Sequence, residues 1–247
     1  MKNIDLYDNI IGHIKGLDDF TELILLDFSF NKIKHIKRIN HLKKLRDLYF
    51  VQNKIQTIEG LEGLDILRQL ELGGNRIRVI EGLETLTALE ELWLGKNKIT
   101  SIQGLDSLVN LKILALPSNR LTSISGLEGL VNLEELHLSD NGITKLSGLD
   151  KNLQLRVIDI TRNPIEHLEN LSHLEHLEEL WASYCKIADF SEVERELKDK
   201  EELNTVYFEG TPLQLRQPAL YRNKVKLALP QIKQIDASKC RLSHERS

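Results

Sequence analysis

Apolar residues along this chain return in one frame that restarts every 22 residues. The frame reads L-x-x-L-x-L-x-x-N-x-L-x-x-I, as in Leu89, Leu92, Leu94, Asn97, Ile99 and Ile102, and one step earlier in Leu67, Leu70, Leu72, Asn75, Ile77 and Ile80. Asparagine keeps the phase at Asn9, Asn31, Asn53, Asn75, Asn97, Asn119, Asn141 and Asn163, and Cys185 falls on the next step. A glycine-leucine pair closes most units: Gly60-Leu61, Gly82-Leu83, Gly104-Leu105, Gly126-Leu127 and Gly148-Leu149. The L-x-L segment predicts a short strand whose side chains alternate faces. Units of equal length stack such strands about 4.8 Å apart as a parallel sheet, and each coil buries its leucines against its neighbours. Each asparagine sits where the chain leaves the strand, and its amide can donate and accept toward backbone groups that would otherwise be buried unpaired. Cysteine can fill that slot as a small, weak donor, so Cys185 reads as structural. So short a unit leaves little room for α-helix on the outer side; turns and 3₁₀ pieces are expected there.

This is the leucine-rich-repeat pattern. The fold class it predicts is an α/β-type solenoid: a curved right-handed coil with a parallel concave sheet, 22-residue repeats, and short turns or 3₁₀ segments on the convex side. Residues 1–213 read as the solenoid, about ten coils with the first one partial; residues 214–240 read as a C-terminal cap and 241–247 as a tail. The spacing breaks after Cys185, where SEVERELKDKEELNTVYFEGTPL inserts a charged helical stretch before Leu203, Val206, Phe208, Thr211 and Leu213 resume the frame. Beyond it, Tyr221, Val225, Leu227, Leu229, Ile232 and Ile235 can cover the last coil, as a solenoid end requires. Met1, Ile4, Leu6, Asn9, Ile11 and Ile14 already fit the frame, so the chain is expected to start inside a coil with no cap before it, as a truncated chain would.

With the apolar positions turned inward, the residues between the two strand leucines line an open face: Asp5, Asp27, Tyr49, Glu71, Trp93, Ala115, His137, Asp159, Trp181 and Tyr207. A neighbouring file, two residues earlier, adds Asp47, Gln69, Glu91, Ile113, Glu135, Val157, Glu179 and Thr205. Both tryptophans of the chain thus stand where a partner, not the core, would cover them. Aromatics also suit strands, and long cross-coil contacts can stabilise a sheet without a ligand. Large aromatics interleaved with carboxylates in one file favour an interface, because Trp and Tyr dominate binding hot spots and carboxylates steer basic partners. The position after the asparagine is basic at Lys32, Lys54, Arg76, Lys98, Arg120 and Lys186. That stripe reads as a solvated edge that blocks sheet aggregation, ahead of a phosphate-binding track.

Composition changes this picture little. A net charge of −4 over 247 residues argues against nucleic acid as the main partner. Two cysteines, Cys185 and Cys240, are too few for a disulfide framework or a zinc site and fit reduced thiols. The start MKNIDLYDNI has no signal-peptide run, no apolar segment approaches a membrane span, and the sequon Asn170-Leu171-Ser172 reads as a chance match. Candidate chemistry is sparse. His173 and His176 are three apart without further ligands, and His137 has Glu135 beside it but no positioned nucleophile. Ser118 and Ser139 sit in no G-x-S-x-G elbow, and Gly73-Gly74 belongs to no Walker motif. The expectation is a non-enzyme with no metal, cofactor, membrane or small-molecule substrate, built to bind protein.

The segments GNRIRVIEGLETL and LGKNKITSIQGLDSL, the LSDNGI turn and the ending KVKLALPQIKQIDA together resemble the leucine-rich-repeat regulatory subunit of protein phosphatase 1, the regulatory subunit 7 family, over nearly the whole chain. The resemblance implies a non-catalytic subunit that binds the catalytic subunit of protein phosphatase 1 through its concave face and controls its activity, maturation or localisation. It further implies action in nucleus and cytoplasm, in the cell cycle and chromosome segregation, with room for a third regulatory protein. Contact positions carry over in residue type at Asp27, Glu71, Asp159, Glu179, Trp181 and Tyr207, and at Tyr49 and Trp93, where the family has aromatics, often phenylalanine. In that reading Trp181 and Tyr207 anchor the partner while Asp27, Glu71 and Asp159 orient its basic side chains. Members of the family usually carry an acidic N-terminal region and further repeats before the point where this chain begins. The short docking motif of a basic residue followed by V-x-F is not evident. A general leucine-rich-repeat scaffold in another nuclear or cytoskeletal complex is the alternative.

Overall fold

A computed structural model describes residues 1–240, and the expected tail, 241–247, lies outside the described residues. Strands recur once per coil: β1 (Asn3–Asp5), β2 (Leu25–Asp27), β3 (Asp47–Tyr49), β4 (Gln69–Glu71) and β5 (Glu91–Trp93). The series continues with β6 (Ile113–Ala115), β7 (Glu135–His137), β8 (Val157–Asp159), β9 (Glu179–Trp181) and β10 (Thr205–Tyr207). They pair in sequence order as one parallel sheet, with Leu48 opposite Leu70, Leu70 opposite Leu92 and Leu92 opposite Leu114. The middle residue of every strand from β2 to β10 is buried, and the residues flanking it face outward. The molecule is thus the parallel solenoid that the 22-residue frame predicts.

The convex side is built of paired turns. In one coil the Leu64 N–H donates to the Leu61 carbonyl at 3.2 Å and the Leu67 N–H to the Leu64 carbonyl at 3.0 Å. Leu61, Leu64 and Leu67 are all fully buried. Of the two alternatives for this side, turns are what form among the described residues. Glycine closes these coils for a steric reason: Gly104 has φ +67°, and a Cβ there would meet the Ile80 carbonyl oxygen at 2.8 Å. Asn170 holds the same position at φ +57°, with its amide donating to the Leu146 carbonyl at 2.7 Å. The sequon asparagine therefore serves the coil.

Asparagines seal the coils to one another. Asn97 Nδ2 donates to the Leu72 and Leu94 carbonyls, both at 3.0 Å, and its Oδ1 accepts the Ile77 N–H at 3.0 Å. The same pattern repeats from Asn31 to Asn163. Cys185 keeps one such bond, Sγ to the Ile160 carbonyl at 3.2 Å. Burial pushes its thiol up to about 11, so it stays protonated near neutral pH and is no ready nucleophile.

The step from β9 to β10 is four residues longer than the others, Leu180 pairing with Val206. The extra length forms the helix α1 (Phe190–Leu197), capped by Asp189, which accepts the Ser191 N–H at 2.7 Å. Glu196 and Lys200 are buried behind it, Glu196 accepting the Leu171 and Ser172 N–H groups and Lys200 donating to the Ser172 and Leu174 carbonyls. Two further helices, α2 (Pro212–Leu215) and α3 (Pro218–Ala228), lead to β11 (Gln234–Ile235) and β12 (Ser238–Lys239). The last pair is antiparallel, which ends the parallel stack. Tyr221, Val225, Leu229, Ile232 and Ile235 are buried over the final coil, but Leu227 is 79% exposed on the outer face of α3. Its place in an apolar run had suggested burial, and the helical period turns it away instead. Asp236 accepts the Phe208 and Glu209 N–H groups and the Tyr221 hydroxyl, replacing the acceptors a further coil would bring. Among the described residues no helix is long and apolar enough to cross a membrane.

Candidate functional site

All eight residues singled out from the sequence lie on strands of the one concave sheet, and the structure divides them into two groups. The first surrounds Tyr49 on β3. Its hydroxyl donates to Gln69 Oε1 at 3.0 Å, and its phenol is pushed up by burial and by the charges of Asp47, Glu71, Glu91 and Asp27. Glu71 is pushed up as well, by burial first and then by Asp27. The N-terminal half of the face is therefore a place where negative charge is crowded and a partner's cation would be welcomed.

The crowding has a sign that can be checked. A carboxyl raised in the folded state holds its proton over a range where the unfolded chain has lost it, so stability falls as pH rises through that range. Glu71→Gln should accordingly raise the melting temperature at pH 7 and have less effect near pH 4, measured by thermal denaturation at both values. An equal shift at both pH values would assign the effect to something other than ionisation.

The second group is an aromatic ladder. The Trp93 and His137 rings stack at 6.3 Å, His137 meets Trp181 edge-on at 6.2 Å, and Trp181 meets Tyr207 at 5.7 Å. Trp93 and His137 stand two strands apart, as do His137 and Trp181, so direct neighbours would be about 4.8 Å apart and these pairs about twice that. The rings close the gap by leaning across the small residue between them, and Ala115 is 1% exposed and Asp159 7% exposed as a result. Each ring nitrogen is also held by the glutamate two residues before it. Trp93 Nε1 donates to Glu91 Oε2 at 3.2 Å and Trp181 Nε1 to Glu179 Oε2 at 2.8 Å, while His137 Nε2 lies 3.1 Å from Glu135 Oε2. Tyr207 completes the row, its hydroxyl accepting from Gln234 Nε2 at 2.8 Å.

Two aspartates behave differently from the free carboxylates their positions suggested. Asp27 Oδ1 accepts the Ser29 N–H at 2.7 Å and Asp159 Oδ1 accepts the Thr161 N–H at 2.9 Å, each pinning the end of its own strand. Asp27 keeps part of its surface open, whereas Asp159 is roofed by the ladder and buried. His137, which the sequence places in the open-face file beside Glu135 but outside the contact positions, is a full member of the ladder. The signal for it was present: the triplets ELW at 91–93, ELH at 135–137 and ELW at 179–181 recur every second coil.

Residues 67–107, 109–151 and 131–176 match the family described as Leucine Rich repeats (2 copies). Over 71 residues, 29% of its length, the chain is 55% identical to Protein phosphatase 1 regulatory subunit SDS22 of Schizosaccharomyces pombe, and the match spans 21% of that relative. Among solved structures it is similar to a leucine-rich-repeat protein of Leptospira interrogans, at 26% identity and a TM-score of 0.83, over 95% of this chain and 60% of that one. The functional domain of InlJ from Listeria monocytogenes superposes at 23% identity and a TM-score of 0.74, over 98% of this chain and 49% of that one. The structural likenesses establish the fold; the phosphatase subunit is the similarity that bears on function.

Proposed function

We propose, from the premise that this chain is a leucine-rich-repeat protein, that it is a regulatory subunit binding the catalytic subunit of protein phosphatase 1 through the concave face. The observation that carries this reading is the 55% identity over 71 residues to a protein phosphatase 1 regulatory subunit. The geometry supports it with a face suited to a folded, basic-patched partner: carboxylates crowd around Tyr49, and a row of rings runs from Trp93 to Tyr207. The role is non-catalytic control of the phosphatase's activity, maturation or localisation, exercised in nucleus and cytoplasm. A smooth sheet of this kind supplies contact area, with the aromatic row as its anchor and the acidic half as its steering field.

The test is a calorimetric titration of the purified chain into the phosphatase catalytic subunit at two salt concentrations. Saturable one-to-one binding that weakens with salt is expected, since the acidic half is exposed to screening. Absence of binding by the well-folded chain would favour a general scaffold in another complex.

A further inference from the structure

Charge is sorted on the flank that follows the strands, and the sorting changes partway along the solenoid. Segments 30–36, 52–58, 74–80, 96–102 and 118–124 carry eight cations, Lys32, Lys34, Lys54, Arg76, Arg78, Lys96, Lys98 and Arg120, and contain no aspartate or glutamate. This is a segregated patch in a chain of net charge −4. All eight side chains are exposed or half-exposed, and among the described residues none forms an ion pair. Glu59, the residue after segment 52–58, is taken up by His35 at 2.8 Å, and Glu81, the residue after segment 74–80, forms no ion pair with any of the eight among the described residues.

The register of this patch is fixed by the backbone. The N–H groups of Lys54, Arg76, Lys98 and Arg120 each donate at 2.8 Å to the preceding coil, to the carbonyls of Ile33, Ile55, Ile77 and Ile99. Lys32 does the same with Ile11 at 2.9 Å. Five cations therefore stand in file at intervals of about 4.8 Å, an arrangement in which like charges repel. Because these N–H groups are already paired within the stack, the file itself lines no open strand edge, and guarding such an edge does not account for it.

Two comparisons within the molecule show that the fold does not demand this. On the opposite flank the charges alternate and pair, Arg68 with Glu90, Glu90 with Lys112, and Arg156 with both Glu134 and Glu178, at 2.7 to 3.7 Å. Farther along the basic flank itself, Arg162 meets Asp140 at 3.6 Å and Lys186 meets Glu166 at 3.1 Å. The eight cations left without an ion pair belong to the coils of β2 to β6, which include those carrying the acidic group around Tyr49.

We infer that this flank is a second docking surface, a track for an extended acidic peptide segment of a partner protein. The five-coil file spans about 19 Å, the length of about six residues of extended chain. A single-stranded nucleic acid fits less well, because such tracks interleave cations with aromatic stacking platforms, and the one Phe, Tyr or Trp in the five segments, Phe30, packs against Tyr7 at 5.0 Å. The surface is distinct from the concave face, and the inference does not rest on the phosphatase reading. Together the two surfaces would let one subunit hold a basic partner and an acidic one side by side.

The experiment titrates the chain into a fluorescein-labelled octa-glutamate peptide and follows anisotropy at low and physiological salt. The parent chain is compared with Lys54→Glu/Arg76→Glu/Lys98→Glu, with Lys186→Glu, whose cation is already paired, and with Trp181→Ala on the concave face. Circular dichroism checks each fold. Salt-sensitive binding is expected to weaken at least tenfold in the triple variant and to stay within twofold in the other two. Equal binding by a folded triple variant, or no binding by the parent at low salt, would overturn the inference. So would displacement of the peptide by an octa-deoxythymidylate at lower concentration than by unlabelled octa-glutamate, which would mark the track as one for nucleic acid.

Discussion

On the proposed reading, Trp181→Ala is expected to weaken binding of the phosphatase catalytic subunit by about 2–4 kcal/mol, the range of central aromatic hot spots. That corresponds to roughly 30- to 700-fold in Kd. The ring stands in the ladder with neighbours on both sides, His137 at 6.2 Å and Tyr207 at 5.7 Å, and it holds Glu179 through its indole N–H at 2.8 Å. Truncation removes the contact area, frees the Glu179 carboxylate and opens the roof over Asp159. Trp93→Ala should cost less, since its described ring partner in the ladder is His137 alone. Because Trp181 and Tyr207 touch, the double substitution should cost less than the sum of the two single ones. Calorimetry on variants with unchanged circular dichroism decides the matter. A folded Trp181→Ala chain with parental affinity would remove the ladder from the interface.

That site was legible in outline because two periods act at once. A period of two along each strand sorts inside from outside, and a period of 22 between coils stacks equivalent residues, so Tyr49, Trp93, Trp181 and Tyr207 could be placed on one face without coordinates. What those periods do not fix is where a side chain leans. Trp93 and His137 reach each other only because Ala115 lies between them, and Asp159 is buried because His137 and Trp181 converge above it. Asp27 and Asp159 look like free carboxylates in a face pattern, yet each accepts a backbone N–H two residues on. These are local hydrogen bonds and packing choices, set by geometry at single sites and invisible to a repeat frame. Leu227 is the converse case, where the helical period of α3 overruled an apolar run.

The asparagine ladder carries the second large expectation, this time for stability. Asn97→Ala should destabilise the chain by about 1–3 kcal/mol, because a buried donor loses its partner. The orphan is specific: the N–H of buried Ile77, which Asn97 Oδ1 accepts at 3.0 Å, whereas the Leu72 carbonyl keeps Asn75 Nδ2 at 2.9 Å and the Leu94 carbonyl keeps Asn119 Nδ2 at 3.0 Å. A solenoid's stability sums coil and interface terms, so weakening a central interface should also broaden the urea transition as the two halves uncouple. Cys185 supplies the reverse experiment within the same protein. It keeps only the bond to Ile160, and among the described residues nothing accepts the N–H of buried Ile165, the group that an asparagine would satisfy. Cys185→Asn should therefore stabilise by about 1 kcal/mol, the net value of a buried hydrogen bond. If Asn97→Ala cost under about 0.5 kcal/mol, or Cys185→Asn destabilised the chain, packing of the leucines rather than the amide ladder would be what joins the coils.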